Sequence, residues 1–214
     1  VILAPVAFGA VFLDCLIPLS PAHLVGLRGF VFPGTRTGVT GFFRYAENLT
    51  AAELTSIVAS GYQLIPVGES RPNGYVPTAA DGSADAARVV AIIRALGIPA
   101  GVTVGCDLEG MGGGAQDTIE YANAQAAIIQ SAGDGPMAYV GAGVPLTSAQ
   151  LYQLKDTLYW HSLSSVQPVA VCDYAVLQGF PTQTLRLSNG ILLEADVNFI
   201  YRDKEGRGPV AVSQ

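Results

Sequence analysis

The chain has 214 residues and a formal net charge of -6; half of it is hydrophobic and only 13% is charged. No Lys/Arg cluster exists to track a phosphate backbone, which excludes a nucleic-acid partner, whereas an acidic surface suits a neutral or cationic ligand such as a glycan. Three widely spaced cysteines (Cys15, Cys106, Cys172) in apolar runs and two histidines make no zinc-ligand pattern, so free buried thiols are expected and no metal.

The opening apolar stretch is broken by Asp14, two prolines and a glycine and has no basic segment. It is expected to be neither a signal peptide nor a membrane span. Ala10 to Leu13 reads as a first strand ending at Asp14. Ser20-Pro21 starts a helix through Leu27, with Ser as cap and Pro in the first turn. Gly38 to Tyr45 is a second strand. Thr50 and Glu53 form a capping box for a helix whose buried stripe is Leu54, Ile57 and Val58 and which Gly61 ends. Tyr62 to Val67 is a third strand, followed by Glu69 and a polar loop to Thr78. Ala84 to Leu96 is a helix ended by Gly97 and Pro99. Val102 to Cys106 is a fourth strand, leading into Asp107-Leu108-Glu109 and a GMGGG loop, after which Asp117 caps a helix over 118–131. Pro136 to Gly141, Thr157 to Trp160, Pro168 to Tyr174 and Ile191 to Val197 are strands five to eight, with a helix over 147–154 after the fifth. The tail from Tyr201 is charged and then Gly/Pro-rich.

Short apolar runs alternating with helical patterns mark an α/β fold with a parallel sheet buried on both faces. Eight runs predict a single small (β/α)8 TIM-type barrel over residues 1–214, with reduced helices after strands six and seven. The rival is an open doubly wound sheet, and the lack of G-x-G-x-x-G after the first strand disfavours its dinucleotide-binding version.

Acidic residues are scarce, yet several stand where a strand run stops: Asp14, Glu69, Asp107, Glu109, Asp173 and Asp196. The carboxyl ends of barrel strands form the active face, so these side chains are expected to converge on one pocket. Asp173 is set apart, because a lone Asp after a strand is more often a turn residue. Asp107 and Glu109, two apart in an extended segment, point to the same side. Two carboxylates held close do not both ionise readily, and a protonated acid beside an ionised one is what glycosidic cleavage uses. The longer reach of Glu109 gives it the acid role, with Asp107, Asp14 or Asp196 as the ionised partner. No organic cofactor is required. Arg44-Tyr45 ends strand two, where Arg44 can pair with a pocket acid. Tyr139, Trp160, His161 and Tyr174 fall near the ends of strands five to seven, placed to stack on sugar rings or to cap the barrel. The GMGGG loop lacks the Lys-Ser/Thr of a P-loop and reads as a flexible segment beside the pocket.

Two runs, RYAENLTAAELTSIVASGYQLIPVGE (44–69) and ADAARVVAIIRALGIPAGVTVGCDLE (84–109), resemble the bacterial and phage glycoside-hydrolase-like domain known as domain of unknown function 1906. Asp14 also matches its first-strand acid, although Phe-Leu precedes it where the family has Gly-Phe. The closing Glu194-Ala-Asp196-Val-Asn198 looks like the last-strand Asp-x-Asn/Asp of that family and of family 25 lysozymes. Asp107-x-Glu109 is similar to the lysozymes' catalytic strand, and Trp160-His161 stands where an aromatic-Gln pair is usual. The resemblance implies a barrel related to peptidoglycan-cleaving muramidases from the bacterial envelope or phage. In it Glu109, Asp107, Asp14 and Asp196 would be catalytic, and Glu69, Arg44, Tyr45, Tyr139, Trp160, His161 and Asn198 would contact peptidoglycan glycan. A second reading is a barrel without turnover that binds glycan or self-associates in a virion or envelope, which the low charge and apolar N-terminal arm favour. A third, a hydrolase built on Glu69 and His161, has the least support.

Overall fold

The structure is a computed structural model that describes residues 1–32, 37–68 and 71–214, with the backbone alone at Phe180 and Pro181. In chain order its strands are β1 (Ile2–Pro5), β2 (Val11–Asp14), β3 (Val39–Tyr45), β4 (Gln63–Gly68), β5 (Thr103–Asp107), β6 (Gly135–Val140), β7 (Leu158–His161), β8 (Val176–Arg186), β9 (Leu192–Ile200) and β10 (Val210–Ser213). Its α-helices are α1 (Pro21–Leu27), α2 (Ala51–Ala59), α3 (Ala79–Ala95), α4 (Ala115–Ser131) and α5 (Ser148–Tyr152).

Strands β2 to β9 close into an eight-strand barrel through the β4–β5 and β2–β9 pairings. The strands from β2 to β8 run parallel, and β9 runs against both of its neighbours. The small TIM-type barrel read from the sequence is thus present, with its last strand reversed. Helices α1 to α5 fill the connections up to β7. Among the described residues no helix follows β7 or β8, as the short sequence spacing there requires.

Period-two alternation divides each strand between two environments. Phe12, Phe43, Ile65, Val67, Met137, Leu158, Trp160 and Val176 fill the barrel interior. Leu13, Phe42, Leu64 and Val104 face outward into the layer shared with α1, α2 and α3, and Ala138, Val140 and Tyr159 meet α4 and α5. Strands β2, β4, β6 and β7 are therefore apolar on both sides, the reason their runs were readable at all.

Several expectations are corrected. Residues 168–174 form turns, and the strand lies later, at β8; Val171 and Asp173 have φ of 68° and 63°, which no strand accommodates. The tail holds a strand that the sequence reading did not name: Val210–Ser213 form β10, which pairs with β1 and meets β4 at Val212 and Leu64. α3 begins at Ala79 with Thr78 as its cap. Its Gly82 lies where a Cβ would come 2.3 Å from the Tyr121 carbonyl oxygen, so this glycine permits helix contact instead of marking a loop. In α4 the cap is Gly114, and Asp117 reaches back to its amide from the third helical position. α5 is shorter than predicted, capped by Thr147 as expected. Thr50 does cap α2, but the Glu53 carboxylate turns away to Arg44 and the Leu19 amide, leaving half a capping box. All three cysteines are buried and unbridged.

Candidate active site

The antiparallel register of β2 and β9 sets Asp14 directly opposite Asp196. On the far side, β5 stops at Asp107. Its Oδ1 accepts the Glu109 amide at 2.9 Å and its Oδ2 accepts the Tyr45 hydroxyl at 3.4 Å. Glu109 therefore reaches inward from a turn rather than from extended backbone, while Leu108 between the two acids packs toward α4 and α5. The Ala142 amide donates to Glu109 Oε1 at 2.9 Å. The Glu109 side chain lies so close to Gly141 that a Cβ there would stand 2.6–2.8 Å from its carbons.

These four acids line one cleft of about 250 Å³ at the carboxyl ends of the parallel strands, together with Leu16, Ile17, Tyr45, Val67, Tyr139, Trp160, Thr182, Glu194 and Ala195. The floor is aromatic: Trp160 stacks on Phe43 at 4.1 Å between ring centroids and meets Tyr139 edge-on at 4.6 Å. Such rings offer sugars an apolar face.

Burial pushes the Asp14 carboxyl up to about 7; the charges of Asp196 and Asp107 push the same way, and Arg44 opposes them. Its Oδ1 and that of Asp196 are buried without a hydrogen-bond partner among the described residues. Burial also holds the Tyr45 and Tyr139 hydroxyls well above the usual phenol range, reinforced by Asp107 for the first and Glu109 for the second. Both remain donors.

Other expected contacts lie elsewhere. Tyr45 faces inward, so Arg44 beside it faces out. Arg44 is fully buried, pairs with Glu53 at 2.9 Å and donates to the Cys15 carbonyl, which makes it a strut between β3, α2 and the segment after β2. Asn198 lies beneath the cleft, its Oδ1 accepting the Trp160 indole N–H at 2.8 Å. His161 points away from the cleft into a shallow depression with Leu177 and Phe199, its ring edge-on to Tyr174 at 4.6 Å. Asp173 is the turn residue expected, paired with Lys204 at 3.1 Å. Glu69 lies outside the described residues.

The GMGGG loop is tied down rather than free. Gly110 donates its amide to Ala142 and accepts from Gly74, while Gly112 donates to Tyr75. Three rim loops are thereby joined backbone to backbone beside Glu109. Sequence reasoning also missed Leu16, Ile17, Thr182 and Glu194. Glu194 was within reach, since it stands two residues before Asp196 and so shares its face. Thr182 lies in a segment not read as a strand.

A small closed barrel with an acid-lined cleft at its strand ends is a glycoside hydrolase-like architecture. The chain belongs to the family described as the Rv2525c-like, glycoside hydrolase-like domain, whose sequence profile matches residues 31–183. No curated protein matches the sequence. Among solved structures it is similar to an uncharacterized B. stearothermophilus protein, with TM-score 0.68, 16% identity, and 91% of this chain and 97% of that one covered. It is also similar to the modular autolysin LytC of Streptococcus pneumoniae, with TM-score 0.54, 11% identity and 90% of this chain aligned to 47% of that one. The catalytic domain of endolysin ply40 from bacteriophage P40 of Listeria monocytogenes has TM-score 0.51 and 12% identity, with 90% and 93% covered. This chain thus spans about half the length of LytC.

Proposed function

We propose that the protein is a glycosidase acting on β-1,4 bonds between amino sugars of bacterial cell-wall glycan. The observation that carries this reading is the meeting of Asp14, Asp107, Glu109 and Asp196, distant in sequence, over an aromatic floor. The family and the cell-wall lytic enzymes among the similar folds support it, as does the structure of LytC with a synthetic peptidoglycan ligand. Glu109, held through one oxygen by the Ala142 amide, protonates the leaving oxygen with the other. Asp107 stands as the carboxylate that balances the oxocarbenium-like charge. Asp14 and Asp196 face the same sugar from the opposite wall.

Glu109→Gln is expected to abolish release of reducing ends from purified peptidoglycan without lowering the melting temperature. Retained activity removes Glu109 from the mechanism. Wild-type protein that binds glycan but releases nothing would instead be a module without turnover.

A further inference from the structure

The cleft is rich in acceptors and poor in free donors. Its described lining carries the carboxyl groups of Asp14, Asp107, Glu109, Glu194 and Asp196, of which Asp14 keeps its proton below about pH 7, and no Lys, Arg or His. The ring donors around it are already engaged. The Tyr45 hydroxyl goes to Asp107, the Tyr139 hydroxyl to Gln178 at 3.1 Å, and the Trp160 N–H to Asn198. Arg44, beside Tyr45 on β3, is turned outward onto Glu53. Among the described residues nothing donates to the buried Oδ1 atoms of Asp14 and Asp196. Those two atoms are closed to a ligand, but the accessible oxygens of the same lining are acceptors as well, so the cleft gains from a ligand that brings hydrogens and positive charge.

We propose that this cleft selects amino-sugar glycan whose 2-amino groups are free and protonated over the same glycan N-acetylated. The inference rests on the glycosidase reading for the glycan and adds the chemical state of its nitrogen. An ammonium brings three donors and a charge opposite to the lining. An acetamido group brings one N–H and a carbonyl that requires a donor where the ring donors are engaged. Sugars bearing free carboxylates meet like charge and are disfavoured as well.

The test is calorimetric titration of the intact protein with β-1,4-linked hexamers of glucosamine and of N-acetylglucosamine, at about pH 5.5 and low salt. The glucosamine hexamer is expected to bind at least about tenfold tighter, with the ratio collapsing in about 0.5 M NaCl as screening shortens the reach of the charges. Glu194→Gln is expected to cut the ratio about threefold, whereas Glu120→Gln, on the outer face of α4, leaves it unchanged. Equal affinities, or tighter binding of the acetylated hexamer, overturn the selectivity and leave the glycosidase reading standing. A preference that neither salt nor Glu194→Gln reduces also overturns it, because the discrimination then lies outside the cleft. If neither hexamer binds, the cleft is no glycan site and both readings fall.

Discussion

Asp156, just before β7, is 8% exposed, and among the described residues neither of its carboxyl oxygens has a hydrogen-bond partner. Burial lifts it from 3.8 to about 7. The folded chain thus keeps this proton to higher pH than the unfolded chain does. Stability is unaffected below about pH 4 and declines as pH climbs through 7. Asp14 slopes the same way, also being raised to about 7. Asp156→Asn is expected to stabilise the protein by about 2–4 kcal/mol at pH 8 and to change little at pH 4, read from urea unfolding at both values. No gain at pH 8 would mean that the ionised form is accommodated. At this scale the acids were legible in the sequence because a charge ending an apolar run is an exception that chemistry must explain. Arg44 and Asn198 were not. Their neighbours Tyr45 and Trp160 decide which way they face or what they hold, and that is settled only when the barrel closes.

Between elements, the turn after β5 and the end of β6 fit together at Glu109 and Gly141. Gly141→Ala puts a methyl where Glu109 now lies and pushes its carboxylate off the Ala142 amide. Misplacement of a reacting group by about 1 Å costs on the order of a hundredfold in rate. Reducing-end release by Gly141→Ala should fall by about that factor, and an unchanged rate would show that this packing does not position the acid. Elements from β2 to α5 were readable because each couples an apolar run to a capped helix, and caps such as Ser20, Thr50 and Thr147 act locally. Reading failed where a distant partner sets the conformation. Gly82 resembles a loop residue until α4 lies against it. PVAVCDY has strand composition, yet it turns.

For the molecule as a whole, the chain's two ends share one task. β1 and β10 pair with each other, and β10 enters the wall where β4 and β5 diverge, the Val210 amide donating to Thr103 Oγ1 at 2.9 Å. Ala211 joins the interior cluster with Val6 and Ala10. Removal of residues 209–214 is expected to destabilise the protein by at least about 3 kcal/mol, since buried Val and Ala side chains and the only described pairing of β1 are lost. Thermal melting would show a drop of roughly 6–12 °C; no drop would mean the barrel closes without β10. The tail's Gly/Pro content hid this strand, because its worth lies in a gap made by residues a hundred positions earlier.

The long β8–β9 hairpin, part of the barrel wall, is fastened at its tip to α1, with the Ser188 amide donating to the Gly26 carbonyl and the Asn189 amide group to that of Ala22. Sliding β9 by a single residue would swing Asp196 into the outer layer and bring Ala195 or Val197 to face Asp14. The fastening at α1 thus works like a detent on a dial: it indexes one click of a strand whose every other click leaves the cleft without its second wall of charge.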